Sequence, residues 1–220
     1  MAPKKTQQKG TKSKREKVVA KKSNKGTVVF ALAGVAAVAI VVLALVGGGA
    51  GGKKEATPEE KRYLGRYLPA GYQEPKLTEN ISYTSTVKMT QTNATTNEQG
   101  LSLAVGDVIQ NRIVYFEWQK PGSQPISMIA YMKPSGKLFV GMSYCPPCQG
   151  KYQRIEADGT LTCETCGTKR DLEKEIGYTG PCKLYPLDEM PVKVVGDKIT
   201  VDKADLDKYT PQPLDRPIGQ

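Results

Sequence analysis

"SYCPPCQGKYQRIEADGTLTCETCG", Ser143 to Gly167, holds four cysteines in two C-x-x-C pairs, Cys145 with Cys148 and Cys163 with Cys166. Between them, Tyr152 to Glu156 and Thr160 to Thr162 read as two short strands joined at Asp158-Gly159, a dipeptide suited to a tight hairpin turn. Such a hairpin brings the two pairs side by side. Gly167, directly after Cys166, and Gly150, two after Cys148, are expected to supply the positive-φ freedom with which a knuckle folds around a sulfur. Two knuckles meeting across a hairpin build a tetrahedral four-sulfur cage that suits zinc or a single iron. The spacing here, C-x2-C-x14-C-x2-C, comes close to the zinc-ribbon pattern.

On either side of this stretch the pattern is that of strands. Ile113 to Trp118, Ile126 to Met132 and Lys137 to Tyr144 are β-branched or aromatic runs, the last two split by the turn "KPSG". Val192 to Val201 reads as a further hairpin turning at Gly196-Asp197, and Asp202 is placed to cap a short helix over "KADLDKY". Residues 78–99, rich in Thr and Asn, suit an edge strand or a surface loop, and Asn80 and Asn93 sit in glycosylation sequons. Thr57, Pro58 and Glu60 mark the start of a short helix whose Tyr63, Leu64, Tyr67 and Leu68 form a packing stripe. The expected fold is mainly β, a small α+β domain with zinc-ribbon- or rubredoxin-like double CxxC knuckles.

The N-terminus has a different character. Residues 1–26 carry ten Lys or Arg against one acid, Glu16, which is +9 of the chain's net +10. A Lys-rich segment with no aromatic residue reads as disordered, and its charge excess says nothing about nucleic acid for the rest of the chain, which is nearly neutral. Val28 to Val46 then gives 19 consecutive residues drawn from Ala, Val, Leu, Ile, Phe and one Gly. As a helix that run spans about 28 Å, close to the hydrocarbon thickness of a bilayer. It is longer than the apolar core of about 7–15 residues usual in a cleaved signal peptide, so a retained single-pass anchor is expected. The positive-inside rule puts the basic tail in the cytoplasm, against anionic lipid, and all that follows Gly52 outside. The expected organisation is therefore a basic tail (1–26), a transmembrane helix (27–47), a linker with a short helix (48–77), an extracytoplasmic β-rich domain (78–210) and a flexible tail (211–220).

The chain has no histidine, which excludes Cys2His2 zinc, Rieske clusters and any catalysis that needs imidazole. Neither pair is followed by His, so c-type haem attachment is excluded too. Pro146 and Pro147 remove two backbone N–H groups that could have bonded the Cys145 sulfur. An oxidised C-P-P-C pair outside the membrane, acting as a tethered thiol–disulfide oxidoreductase or as a structural disulfide, stands as the alternative to a metal. It lacks the βαβ context of a thioredoxin-type motif. The fifth cysteine, Cys182 in "GYTGPCKLYPL", reads as a buried small side chain, a replacement ligand, a ligand of a second site or the resolving thiol of a redox pair.

The stretch "SGKLFVGMSYCPPCQGKYQRIEADGTLTCETCGTKRDLEKEIGYTGPCKLYPL", with "VVGDKITVDKADL" behind it, resembles the FtrD-like family of membrane iron–sulfur-type proteins over about residues 105–208. The order of motifs carries the resemblance: a strand, C-x-x-C, a Gly-Tyr hairpin, a second C-x-x-C, then a segment around a fifth cysteine. Gly180-Pro181-Cys182-Lys183 stands where that family usually has Gly-Gly-Cys-Asn. The resemblance implies a metal held by Cys145, Cys148, Cys163, Cys166 and Cys182, with iron or an iron–sulfur group as the family's metal and zinc as the alternative from the spacing. It further implies a membrane permease or redox partner in iron transport, in a protein that is not an enzyme by itself. A single anchor here replaces the several-helix membrane portion of some relatives.

Overall fold

The computed structural model describes residues 57–120 and 122–219. The expected basic tail and transmembrane helix lie outside the described residues, and among these no helix is long and apolar enough to cross a membrane. A four-residue helix, α1 (Pro58–Lys61), opens the domain, shorter than the stripe that follows it in the sequence suggests. Tyr63 is buried, and Tyr67 packs on the main core. The Thr- and Asn-rich segment supplies three short strands, β1 (Val87–Lys88), β2 (Thr90–Gln91) and β3 (Thr95–Asn97), followed by β4 (Gly100–Ala104) and helix α2 (Val105–Asn111). Three long strands come next: β5 (Ile113–Trp118), β6 (Ile126–Met132) and β7 (Leu138–Met142). The cysteine region forms β8 (Gln153–Ile155), β9 (Thr160–Cys163), β10 (Lys169–Asp171) and β11 (Gly177–Thr179). The chain closes with β12 (Lys193–Val195), β13 (Lys198–Asp202) and α3 (Lys203–Leu206).

These strands make three sheets, ordered β12-β13-β4-β3, β2-β5-β6-β7 and β1-β8-β9-β10-β11. The domain is mainly β, as the sequence pattern implies. The middle sheet is the one the others rest on, because both of its faces are apolar. Val114, Phe116 and Trp118 of β5, Met128, Ala130 and Met132 of β6, and Leu138, Val140 and Met142 of β7 alternate onto one face and meet Leu101, Leu103, Ile199 and Val201 of the first sheet. Ile113, Ile129, Tyr131 and Phe139 alternate onto the other face and meet Ile155, Leu161, Leu172 and Leu187 of the cysteine region. The register sets these pairs directly opposite one another, Phe116 across from Met128 and Tyr131 across from Phe139. A side chain of this size removed from water contributes about 1.5–3 kcal/mol. The cysteine hairpin is thus docked on a sheet already sandwiched by the main core.

Two local expectations are corrected. Asp202 precedes α3 but makes no side-chain cap bond; its carboxylate pairs with Lys193 Nζ at 2.5 Å, across the β12–β13 hairpin. The C-terminal segment read as loose is tied down. Gln212 and Arg216 are buried, and the Arg216 guanidinium lies 3.8 Å from the Tyr185 ring centroid and 4.0 Å from that of Tyr63. Gln212 Nε2 donates to the Pro186 carbonyl at 2.8 Å and to Asp188 Oδ1 at 2.9 Å. The Tyr185 hydroxyl donates to the Arg216 carbonyl at 2.7 Å. Pro and Asp suggested a tail because composition does not reveal that one cation finds two aromatic faces.

The C-terminal segment therefore braces residues 182–190. Arg216→Ala is expected to cost about 3 kcal/mol of stability, since it removes a desolvated cation–π stack and leaves buried acceptors unpaired. Chemical denaturation checks this; a midpoint shift no larger than that of an exposed Lys→Ala variant would refute the bracing role.

Candidate metal centre

The expected hairpin forms. β8 pairs antiparallel with β9, Gln153 opposite Cys163, across the Asp158-Gly159 turn. Each C-x-x-C pair closes a knuckle with the same hydrogen bond: the amide four residues after the first cysteine donates back to that cysteine's carbonyl. Gln149 N reaches Cys145 O, and Gly167 N reaches Cys163 O, both at 2.9 Å. The two knuckles bend at equivalent positions, Gln149 at φ 59° and Gly167 at φ 70°. Gly167 has the role the sequence suggests. On the other knuckle a non-glycine residue takes the left-handed conformation, and Gly150 is required for space instead: a Cβ there would stand 2.6 Å from Thr165 Oγ1 and 2.8 Å from Cys163 Sγ.

All five cysteines are free thiols and gather in one cluster. The Sγ atoms of Cys145, Cys148, Cys166 and Cys182 all lie within 4.8 Å of one another. Cys163 Sγ is 3.8 Å from Cys148 Sγ. The two-pair reading put Cys182 beside the cage, whereas this mutually close quartet includes Cys182, with Cys163 as the neighbour. Thr168 explains the exchange: its Oγ1 accepts from the Cys182 amide at 3.0 Å and from the Cys166 thiol at 3.2 Å, drawing the fifth cysteine against the second knuckle. Cys145, Cys163 and Cys182 are buried, while Cys148 and Cys166 are half-buried at the surface.

The donor set fits a metal. In a tetrahedron with metal–sulfur bonds of about 2.3 Å the sulfurs stand about 3.8 Å apart, the scale of this cluster. Three of these thiols, Cys148, Cys163 and Cys182, are held towards the protonated form. Burial raises Cys148, and it pushes Cys182 up to about 12. The hydrogen bond with Cys145, together with burial, brings Cys163 to about 12 as well. Thiols so protected ionise when a cation replaces the protons.

Sequence reasoning missed Arg170. It is fully buried, and its Nη2 donates to Cys145 Sγ at 3.3 Å and to the Tyr185 carbonyl at 2.9 Å, with the Cys182 carbonyl at 3.5 Å. The backbone amides of Thr165 and Cys166 hydrogen-bond the Cys163 sulfur. At the first knuckle the position equivalent to Thr165 is Pro147, which has no N–H. The guanidinium thus supplies Cys145 with a donor the two prolines cannot. A buried cation is costly unless an anion or good acceptors meet it, and the acceptors here are two carbonyls and a sulfur. In the sequence nothing in "TKRDL" sets Arg170 apart, because its partners Cys145, Cys182 and Tyr185 lie elsewhere along the chain.

Gly150→Ala is expected to push Cys163 and Thr165 apart and to expose buried sulfur. Gly106→Ala, in open space within α2, should leave the cluster intact and stabilise the helix by about 0.5–1 kcal/mol. Alkylation mapped by mass spectrometry checks both; equal labelling of Cys163 in the two variants would contradict the packing.

A cleft of about 380 Å³ opens beside Tyr144, lined in part by Lys120, Ser127, Lys151 and Tyr209 and by no cysteine. No curated protein and no solved structure matches the chain significantly. Residues 108–212 match the family described as membrane iron-sulfur containing protein FtrD-like. That span holds all five cysteines, and over it the chain is similar to the FtrD-like family.

Proposed function

We propose that this domain, tethered outside the membrane by the apolar run at 28–46, holds a single metal ion on cysteine thiolates and serves a membrane iron-transport partner as electron relay or metal handler. The observation that carries the reading is the convergence of Cys145, Cys148, Cys166 and Cys182 within 4.8 Å. That spacing favours one ion over a multi-iron cluster, in which the thiolates bind different irons and stand further apart. When bound, such an ion supplies either a one-electron couple, as iron, or a rigid cross-link, as zinc.

The residues divide the remaining work. Arg170 offsets the negative charge that four thiolates bring into a buried site. Thr168 fixes the relative positions of Cys166 and Cys182. Cys148 and Cys166, the half-buried pair, form the edge through which electrons or an ion would pass to a partner, and the family's description makes a membrane iron–sulfur context the natural one. The basic tail would add about 1 kcal/mol per Lys or Arg of attraction to an anionic inner leaflet. A thiol–disulfide oxidoreductase is less well supported, because attacking thiols have lowered rather than raised pKa values.

Elemental analysis together with acid-labile sulfide tests the proposal on protein isolated from its native membrane. One metal per chain and no inorganic sulfide is expected; two or more irons with stoichiometric sulfide would overturn the single-ion reading. Cys182→Ser should lose metal as fully as Cys148→Ser, and full retention by Cys182→Ser would remove it from the ligand set. If the ion is iron, Arg170→Met should move its midpoint potential negative, since a nearby positive charge favours the reduced, more anionic centre. An unchanged potential would leave Arg170 a packing role only.

A further inference from the structure

A second buried cluster of titratable side chains is made of acids rather than thiols. Glu74, Glu175 and Glu189 each direct a carboxylate oxygen to within 4.8 Å of the other two. They come from three separate parts of the chain: the segment before β1, the β10–β11 turn, and a stretch that bridges Gly141 of β7. Glu175 and Glu189 are each 5 % exposed. Lys133, 3 % exposed, forms ion pairs with Glu74 and Glu175, and Lys137 lies 3.7 Å from Glu74 at the rim.

These two lysines do not complete the cage. Glu189 Oε1 is buried with no hydrogen-bond partner, and so is the hydroxyl of Tyr131, which is 0 % exposed. The charges of Glu175, Glu189 and Glu74 all oppose ionisation of that hydroxyl, which lies within the field of the three carboxylates. Burial pushes Glu189 up to about 9 and Glu175 to about 7, the behaviour of carboxylates short of positive charge. A buried oxygen left without a partner is costly, and two that feel the same acids point to a place for a cation.

We propose that Glu74, Glu175, Glu189 and Tyr131 form a second cation site, distinct from the thiols, that takes a hard, oxygen-seeking metal ion with Lys133 as the resident counter-charge it displaces. The donor set decides the class. Carboxylate and phenol oxygens suit Mn2+, Fe2+, Fe3+ or Ca2+, whereas the thiols suit softer ions, so the domain separates two kinds of metal by ligand chemistry. Entry is on the Glu74 side, where that carboxylate is 17 % exposed and Lys137 41 %. The site does not depend on the thiol cluster being loaded.

Mn2+ is the probe. The full-length chain in detergent, its thiol site first saturated with zinc, is titrated with Mn2+ while the free-ion EPR signal is followed. One saturable Mn2+ per chain is expected, at least tenfold weaker in Glu189→Gln and in Tyr131→Phe, and tighter in Lys133→Met. Far-UV circular dichroism and thiol-bound zinc confirm that each variant is folded. No saturable binding in the wild-type chain, or binding unchanged in both folded variants, overturns the site. Neither result bears on the metal content of the thiols, so the two readings fail separately.

Discussion

The contact on which the cysteine region depends is that of the Arg170 guanidinium with the Cys145 sulfur. Pro147, between the first two cysteines, removes from that sulfur one of the two amide donors that its counterpart, Cys163, has in Thr165 and Cys166. A rigid Pro-Pro turn fixes the knuckle's backbone, and a side chain from β10 restores what the turn takes away. Because the same guanidinium binds the Tyr185 carbonyl and approaches that of Cys182, it also ties the fifth cysteine's segment to the first knuckle. One buried cation therefore joins three stretches of chain that share no strand pairing.

How much of this was legible in the sequence follows from the range of each interaction. The β8–β9 hairpin and the β5–β6–β7 meander could be read, since turn residues are local and strands buried on both faces show as short apolar runs. Gly167 could be read for the same reason. Gly150 was read as glycine for the wrong cause: the sequence suggests φ, and the structure shows a close approach by Thr165 and Cys163, a contact across the hairpin. Helix α2 had no signal of its own, being seven residues with a glycine second and one fully buried side chain, Val108. Arg170, Thr168 and the buried C-terminal segment were invisible because their partners are distant in sequence. A buried arginine looks like a surface one until its acceptors are placed.

The C-terminal segment illustrates how a β domain of this size secures an irregular stretch. Residues 182–190 carry Cys182 at one end and Glu189 at the other, with little strand pairing to hold them. Arg216 stacked on Tyr185 and Gln212 bonded to Pro186 and Asp188 replace that missing ladder, and Arg66 adds a 2.8 Å ion pair to Asp188. Fixing a residue's backbone costs about 1–2 kcal/mol, so a nine-residue segment needs anchors of this kind to remain in one conformation. Ligand geometry at Cys182 is consequently set from well outside the cysteine motifs.

The same stretch carries a soft donor, Cys182, and a hard one, Glu189. The positive charge of Arg170 touches the Cys145 sulfur, where it would offset the charge of a thiolate. Tyr131 lies within its field as well, where the acids oppose ionisation of the phenol and Arg170 favours it. In a low-dielectric interior such terms extend several ångströms with little screening. Arg170 is thus the one buried charge that both contacts the Cys145 sulfur and favours ionisation of the Tyr131 phenol among the described residues.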